Sequence, residues 1–223
     1  MLKSITTFEL RYQFKSPVFW IACALFFLLT FASVTIDTIQ IGGRGNVNIN
    51  SPFAIYQTIG IMCLFAVFVF VAMLANVVVR DDETGFAPIL RSTRITKSSY
   101  LLGRFSGAAL ACLAVIAMVP LGIAVGSLMP WLDAEKVGAF HASHYLLALF
   151  TFALPTVIVL GTLFFALATA TRSMMWSYIG AVAMLMAYGI SRGILRDHAY
   201  DTLAALTDPS GIATLGKATR YWT

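Results

Sequence analysis

The sequence predicts an all-α protein that crosses a membrane several times. Of 223 residues, 59% are hydrophobic and 11% charged, with a mean hydropathy of +0.84. Soluble domains carry about a quarter of their residues as charges. The apolar residues fall into five runs, each reaching the roughly 20 residues that take a helix across about 30 Å of hydrocarbon. Nothing alternates with period two over barrel-length repeats, and an unclosed strand cannot satisfy its backbone without water. The runs are therefore helices.

The chain opens with an amphipathic segment over 2–14. Leu2, Ile5, Phe8 and Tyr12 recur at three- and four-residue spacing, with Lys3, Thr7, Glu9 and Arg11 mostly off that stripe. This helix is too short and too charged to span. It ends at Lys15-Ser16-Pro17 and is expected to lie in the membrane interface as a lead-in. No small-residue cleavage site follows, so no removable signal peptide is read. Spans are expected over 18–36, 53–79, 101–129, 145–170 and 174–195. Residues 1–195 form the transmembrane domain and 196–223 a tail.

Basic residues orient the bundle, because Lys and Arg accumulate in cytoplasmic connections. With the N-terminus inside, Lys3, Arg11, Lys15, Arg80, Arg91, Arg94, Lys97, Arg104 and Arg172 are cytoplasmic. Only Arg44 and Lys136 stand outside before the fifth span. The outer loops 37–52 and 130–144 are turn-rich, the second carrying Trp131, and the link 171–173 makes a tight helical hairpin. The tail turns at Asp208-Pro209-Ser210-Gly211, shows no closing element, and is expected to continue into a longer chain.

Several chemistries are excluded or unsupported. Gly211 to Thr219 approaches a phosphate-binding loop, but Ala218 stands where the magnesium-holding hydroxyl belongs and no buried strand precedes it. His141 and His144 lack a third metal ligand, so no metal or other cofactor is expected. Cys23, Cys63 and Cys112 sit singly in apolar runs as small hydrophobes. No basic residues interleave with exposed aromatics, which argues against nucleic acid. Asp, Glu and His are missing from the middle of every span, so intramembrane catalysis and ion-coupled transport lack their usual group. Gly103, Gly107, Gly122 and Gly126 pair four apart in the third span and allow close helix approach, either within one bundle or between copies.

One charged segment remains. Arg80 to Arg104 holds five of the 15 Lys and Arg residues. Phe86, Ile89 and Leu90 give a short helix candidate an apolar face, and Asp81, Asp82 and Glu83 suit its positive end. Gly85 permits a turn, Pro88 fits a first helical turn, and Ser98 and Ser99 are expected to cap the third span. Such a segment either sits in a groove on a soluble partner or is a solvated loop.

Glu83, Gly85, Ile89, Leu90, Ser92, Thr93, Leu101, Leu102, Gly103 and Arg104 make this connection resemble the link between the second and third helices of type-2 ABC transporter permeases. The lead-in helix, spans and inner loop match the family's layout over 1–195. Thr84 departs from it where many members carry a basic residue, and the usual sixth span is absent. The tail resembles the outer segment of long bacterial permeases of this class. The resemblance implies a multi-pass permease in a bacterial cell (inner) membrane, itself not an enzyme. It implies export driven by a separate cytoplasmic ABC ATPase pushing Asp82, Glu83, Gly85, Phe86, Ile89, Leu90 and Thr93, and a second permease half of the same or a related chain. A non-transporting anchor or sensor whose loop docks a soluble partner is the alternative.

Overall fold

In the computed structural model, the structure describes residues 2–36, 39, 41–42, 47–85, 96–194 and 201–219. Among the described residues every regular element is helical. Helix α1 spans Leu2–Lys15 and α2 Pro17–Thr35. Ser16 alone separates them, in the extended conformation (φ −74°, ψ 132°) that a following proline favours. Helices α3 (Pro52–Phe65) and α4 (Val67–Glu83) follow, bent by 52° at Ala66. The remaining long helices are α5 (Lys97–Ser127), α6 (Ala142–Thr171) and α7 (Met174–Ile194). Two short helices, α8 (Asp201–Thr207) and α9 (Ile212–Ala218), come last. Helices α2, α5, α6 and α7 are each long and apolar enough to cross a membrane, and the bent pair α3–α4 makes a fifth if it is one span. The chain is a multi-span membrane protein.

The long helix α5 is the axis of the bundle, and glycine is the reason. A methyl group added at Gly103 would lie 2.9 Å from Ile5 Cβ, and one at Gly107 would lie 2.8 Å from the Thr6 carbonyl oxygen. Further along, one at Gly122 would stand 2.8 Å from the Phe27 carbonyl, and one at Gly126 2.9 Å from Val34 Cγ1. Missing side chains thus seat α1 on the first part of α5 and α2 on the second, backbone against side chain. All four glycines are spent on contacts within one chain. Thr96 caps α5 rather than Ser98 or Ser99, its Oγ1 accepting from the Ser99 N–H at 3.4 Å.

The α3–α4 pair fills the centre, with Ile55, Ile59, Cys63, Val67, Phe70 and Leu74 fully buried. Two π turns interrupt the ladders, Val71–Ala75 in α4 and Leu149–Ala153 in α6. The second ends two residues before Pro155, whose ring cannot fit a regular preceding turn and which has no N–H to donate.

The two ends of the bundle are tied differently. At the end away from the 84–96 connection, Asn50 brackets Gly138, donating from Nδ2 to its carbonyl and accepting its N–H, both at 2.7 Å. The tail closes on the same end. Asp208 Oδ1 accepts from the Ser210 N–H at 2.8 Å, the Pro209 carbonyl accepts from Thr156 Oγ1 at 3.2 Å, and Gly211 (φ 75°) lies against the Phe152 ring. Residues 208–212 form the turn that their Asp-Pro-Ser-Gly sequence predicts, with Ser210 buried between α3 and α6. Its docking depends on Gly60, where a side chain would meet Ile212.

Gly107→Ala should push α1 away from α5 and cost about 1–3 kcal/mol, as overpacking typically does. Gly189→Ala in α7, where nothing lies within 4 Å, should cost no stability and add up to about 1 kcal/mol through helix propensity. Thermal unfolding of the two purified variants in one detergent checks the contrast.

Candidate functional site

The lead-in helix turns its polar side to the bundle. On α1 the buried residues are Glu9 and Gln13, while Phe8 is 56% and Tyr12 42% exposed. Thr6, Glu9 and Gln13 form a polar stripe at three- and four-residue spacing facing α5, and Thr6 shares a 2.9 Å hydrogen bond with Ser106. Burial of a carboxylate requires a cation with good geometry, because an unpaired charge is too costly away from water.

Two arginines meet that requirement. Arg104, on the first turns of α5, spreads its guanidinium between two acids. Its Nη1 donates to Glu9 Oε2, and its Nη2 donates to both carboxylate oxygens of Asp81 at 2.7 Å. Arg80 Nη2 donates to the same Glu9 Oε2 at 2.9 Å. Gln13 Nε2 donates to Glu9 Oε1 at 2.9 Å and to the Met73 carbonyl, inside the π turn of α4, at 3.3 Å. The Tyr100 hydroxyl donates to Asp81 Oδ2. Glu9, Asp81 and Arg104 are 0%, 5% and 4% exposed, so this is an ion cluster largely out of water. Its formal charge is zero, two carboxylates against two guanidiniums.

Aromatic rings wall the cluster. The Arg80 guanidinium lies 3.7 Å from the centroid of Tyr12, and Arg104 lies 5.3 Å from Phe8 and 5.4 Å from Tyr100. A weakly hydrated planar cation over a ring face loses little on leaving water, which suits arginine rather than lysine here.

The cluster has a particular place in the chain. Arg80 and Asp81 stand on the last turn of α4, immediately before the connection to α5, and Tyr100 and Arg104 stand on the first turns after it. The Asp81 bonds to Tyr100 and Arg104 therefore clamp the two ends of the connection together, and Glu9 ties that clamp to α1. A weaker link reaches the far hairpin: Arg172, in the left-handed conformation (φ 50°) that ends α6, approaches Asp82 at 3.6 Å. Those side chains are 60% and 30% exposed, and such a pair is worth about 0–1 kcal/mol.

The residues expected to couple to a partner are placed only in part. Asp82 and Glu83 end α4, and Gly85 turns the chain in the left-handed region (φ 67°) with open space around it. Phe86, Ile89, Leu90 and Thr93 lie outside the described residues. The acids Asp81 to Glu83 occupy the negative, C-terminal end of α4, where Asp81 is paired with Arg104, and the short helix they were expected to precede lies outside the described residues. From the sequence Glu9 has only a place off the apolar stripe of α1, and Gln13 and Tyr100 are given no role. His141 and His144 lie with ring centroids 5.2 Å apart, and among the described residues no group of three or more His, Cys, Asp or Glu side chains could hold a metal ion.

No family model matches the chain, and no curated protein matches it either.

Arg104→Ala should be the most damaging change in the cluster, leaving two buried carboxylates with Arg80 alone to balance them, at a cost of about 3–5 kcal/mol. Adding Glu9→Gln and Asp81→Asn to it should recover part of that loss. Chemical unfolding in mixed micelles measures the difference, and an equally unstable triple variant would deny that the cost is one of charge.

Proposed function

We propose that the chain is the membrane permease half of an ABC exporter, with the 84–96 connection as the element that a separate cytoplasmic ATPase pushes. The observation that carries this reading is the buried clamp at the base of that connection. A loop that merely joined two helices needs no such device. A loop that receives force needs a stiff base, or its displacement would dissipate in the loop itself.

The mechanism follows from what the clamp holds. Displacement of the connection moves Asp81 and Arg104 together, and with them the last turn of α4 and the first turns of α5. Helix α5 runs 31 residues, about 46 Å at 1.5 Å per residue, so a tilt at one end reaches the other. Helices α1 and α2 ride on it through the glycine contacts. The neutral, apolar spans carry no ion-coupling group, which is consistent with energy arriving from a partner. In this reading α1 and the connection face the cytoplasm of a bacterial cell, five spans cross the inner membrane, and a second half of the same or a related chain completes the path.

Coupling is the quantity to measure. In full-length protein reconstituted with its ATPase, Glu83→Ala, Leu90→Ala and Asp81→Asn should each lower substrate moved per ATP hydrolysed by about tenfold or more, corresponding to about 1.4 kcal/mol of lost coupling. ATP hydrolysis should continue. Undiminished transport per ATP in all three would sink the proposal, and absence of any co-purifying ATPase would favour an anchor or sensor.

A further inference from the structure

The burial of Glu9 has a consequence on the opposite side of α1. Glu9 is the only acid on this helix, and it is fully buried and committed to Arg80 and Arg104. What α1 shows outward is cationic and aromatic. Lys3, Arg11 and Lys15 are all exposed, and none of them forms an ion pair with another described residue. They border a shallow groove of about 590 Å³ together with Ser4 and the rings of Phe8 and Tyr12. The next residues continue the pattern: Trp20, 62% exposed, starts the first apolar span and donates from Nε1 to the Phe14 carbonyl at 2.9 Å. This bond fixes an interfacial ring beside the basic stripe.

We infer that the outward face of α1 binds the phosphate headgroups of anionic lipids, with Lys3, Arg11 and Lys15 supplying the charge and Phe8, Tyr12 and Trp20 the footing in the acyl boundary. Charge complementarity selects the occupant. Three bases around one groove, none ion-paired with another described residue, favour anions, and the apolar side chains interleaved with them favour an anion that comes attached to hydrocarbon. Each such base at an anionic leaflet changes partitioning by about fivefold. The inference rests only on the chain being a membrane protein and stands whether or not it is a transporter.

Trp20 supplies the probe. In full-length protein carrying Trp131→Phe, Trp176→Phe and Trp222→Phe, its fluorescence is quenched by lipids with brominated chains. Reconstitution with brominated phosphatidylglycerol against brominated phosphatidylcholine gives the relative affinity at this face. The result expected is a preference for the anionic lipid of about fivefold or more. It should weaken with salt, fall to about one in Lys3→Gln/Arg11→Gln/Lys15→Gln, and survive in Lys3→Arg/Lys15→Arg. Inorganic phosphate at constant ionic strength should leave the preference in place. Equal quenching by both lipids overturns the inference and leaves the face to solvent or a soluble acidic partner. A preference that persists in the neutralised variant, or that phosphate abolishes, also overturns it.

Discussion

Arg104 sits where three helices converge, and its guanidinium holds one carboxylate on each side. A monovalent cation between two buried acids is a demanding arrangement, because removing it leaves two charges with no water to take its place. Arg80 restores the balance on Glu9, and Gln13 and Tyr100 use the remaining lone pairs. Loss of any one of the four charged members leaves the set with a net charge. That interdependence makes α1, the end of α4 and the start of α5 behave as one piece, although α1 belongs to no span.

The same helices are held together again by an absence of atoms. Gly103 precedes Arg104, and its missing side chain lets α1 come close enough for Glu9 to reach the guanidinium. Gly107, one turn later, makes room for Glu9 Cβ itself. Close packing and charge pairing are therefore two aspects of one contact. The Leu102-Gly103-Arg104 sequence gains a physical meaning from this: the glycine admits the helix, and the arginine holds it.

The helical class, the N-terminal helix and the presence of four to five helices apolar enough to cross a membrane were legible because hydropathy and periodicity act locally. The bend at Ala66 was not, since no proline or glycine marks it, and neither was the docking of the tail, which depends on Gly60 meeting Ile212 from far along the chain. The ion cluster was hidden for a similar reason. Glu9 lies off the apolar stripe of α1, which reads as a solvated side until α5 is known to cover it. A signal did exist: Thr6, Glu9 and Gln13 share one face, and a glycine-flanked arginine opens the third span. Polar residues in register on a helix that rests on a membrane bundle point inward as readily as outward. The apolar side then has lipid to meet, which is the reverse of the rule for soluble proteins.

We propose that a soluble ATPase presses on the connection clamped by Asp81 and Arg104. A photo-crosslinking amino acid placed at Glu83 in the full-length chain, activated in native membranes, tests it most directly. The expected result is one dominant adduct with an ATP-binding subunit, formed in better yield with nucleotide than without. Adducts with lipid alone, or with the protein's own helices alone, would contradict it.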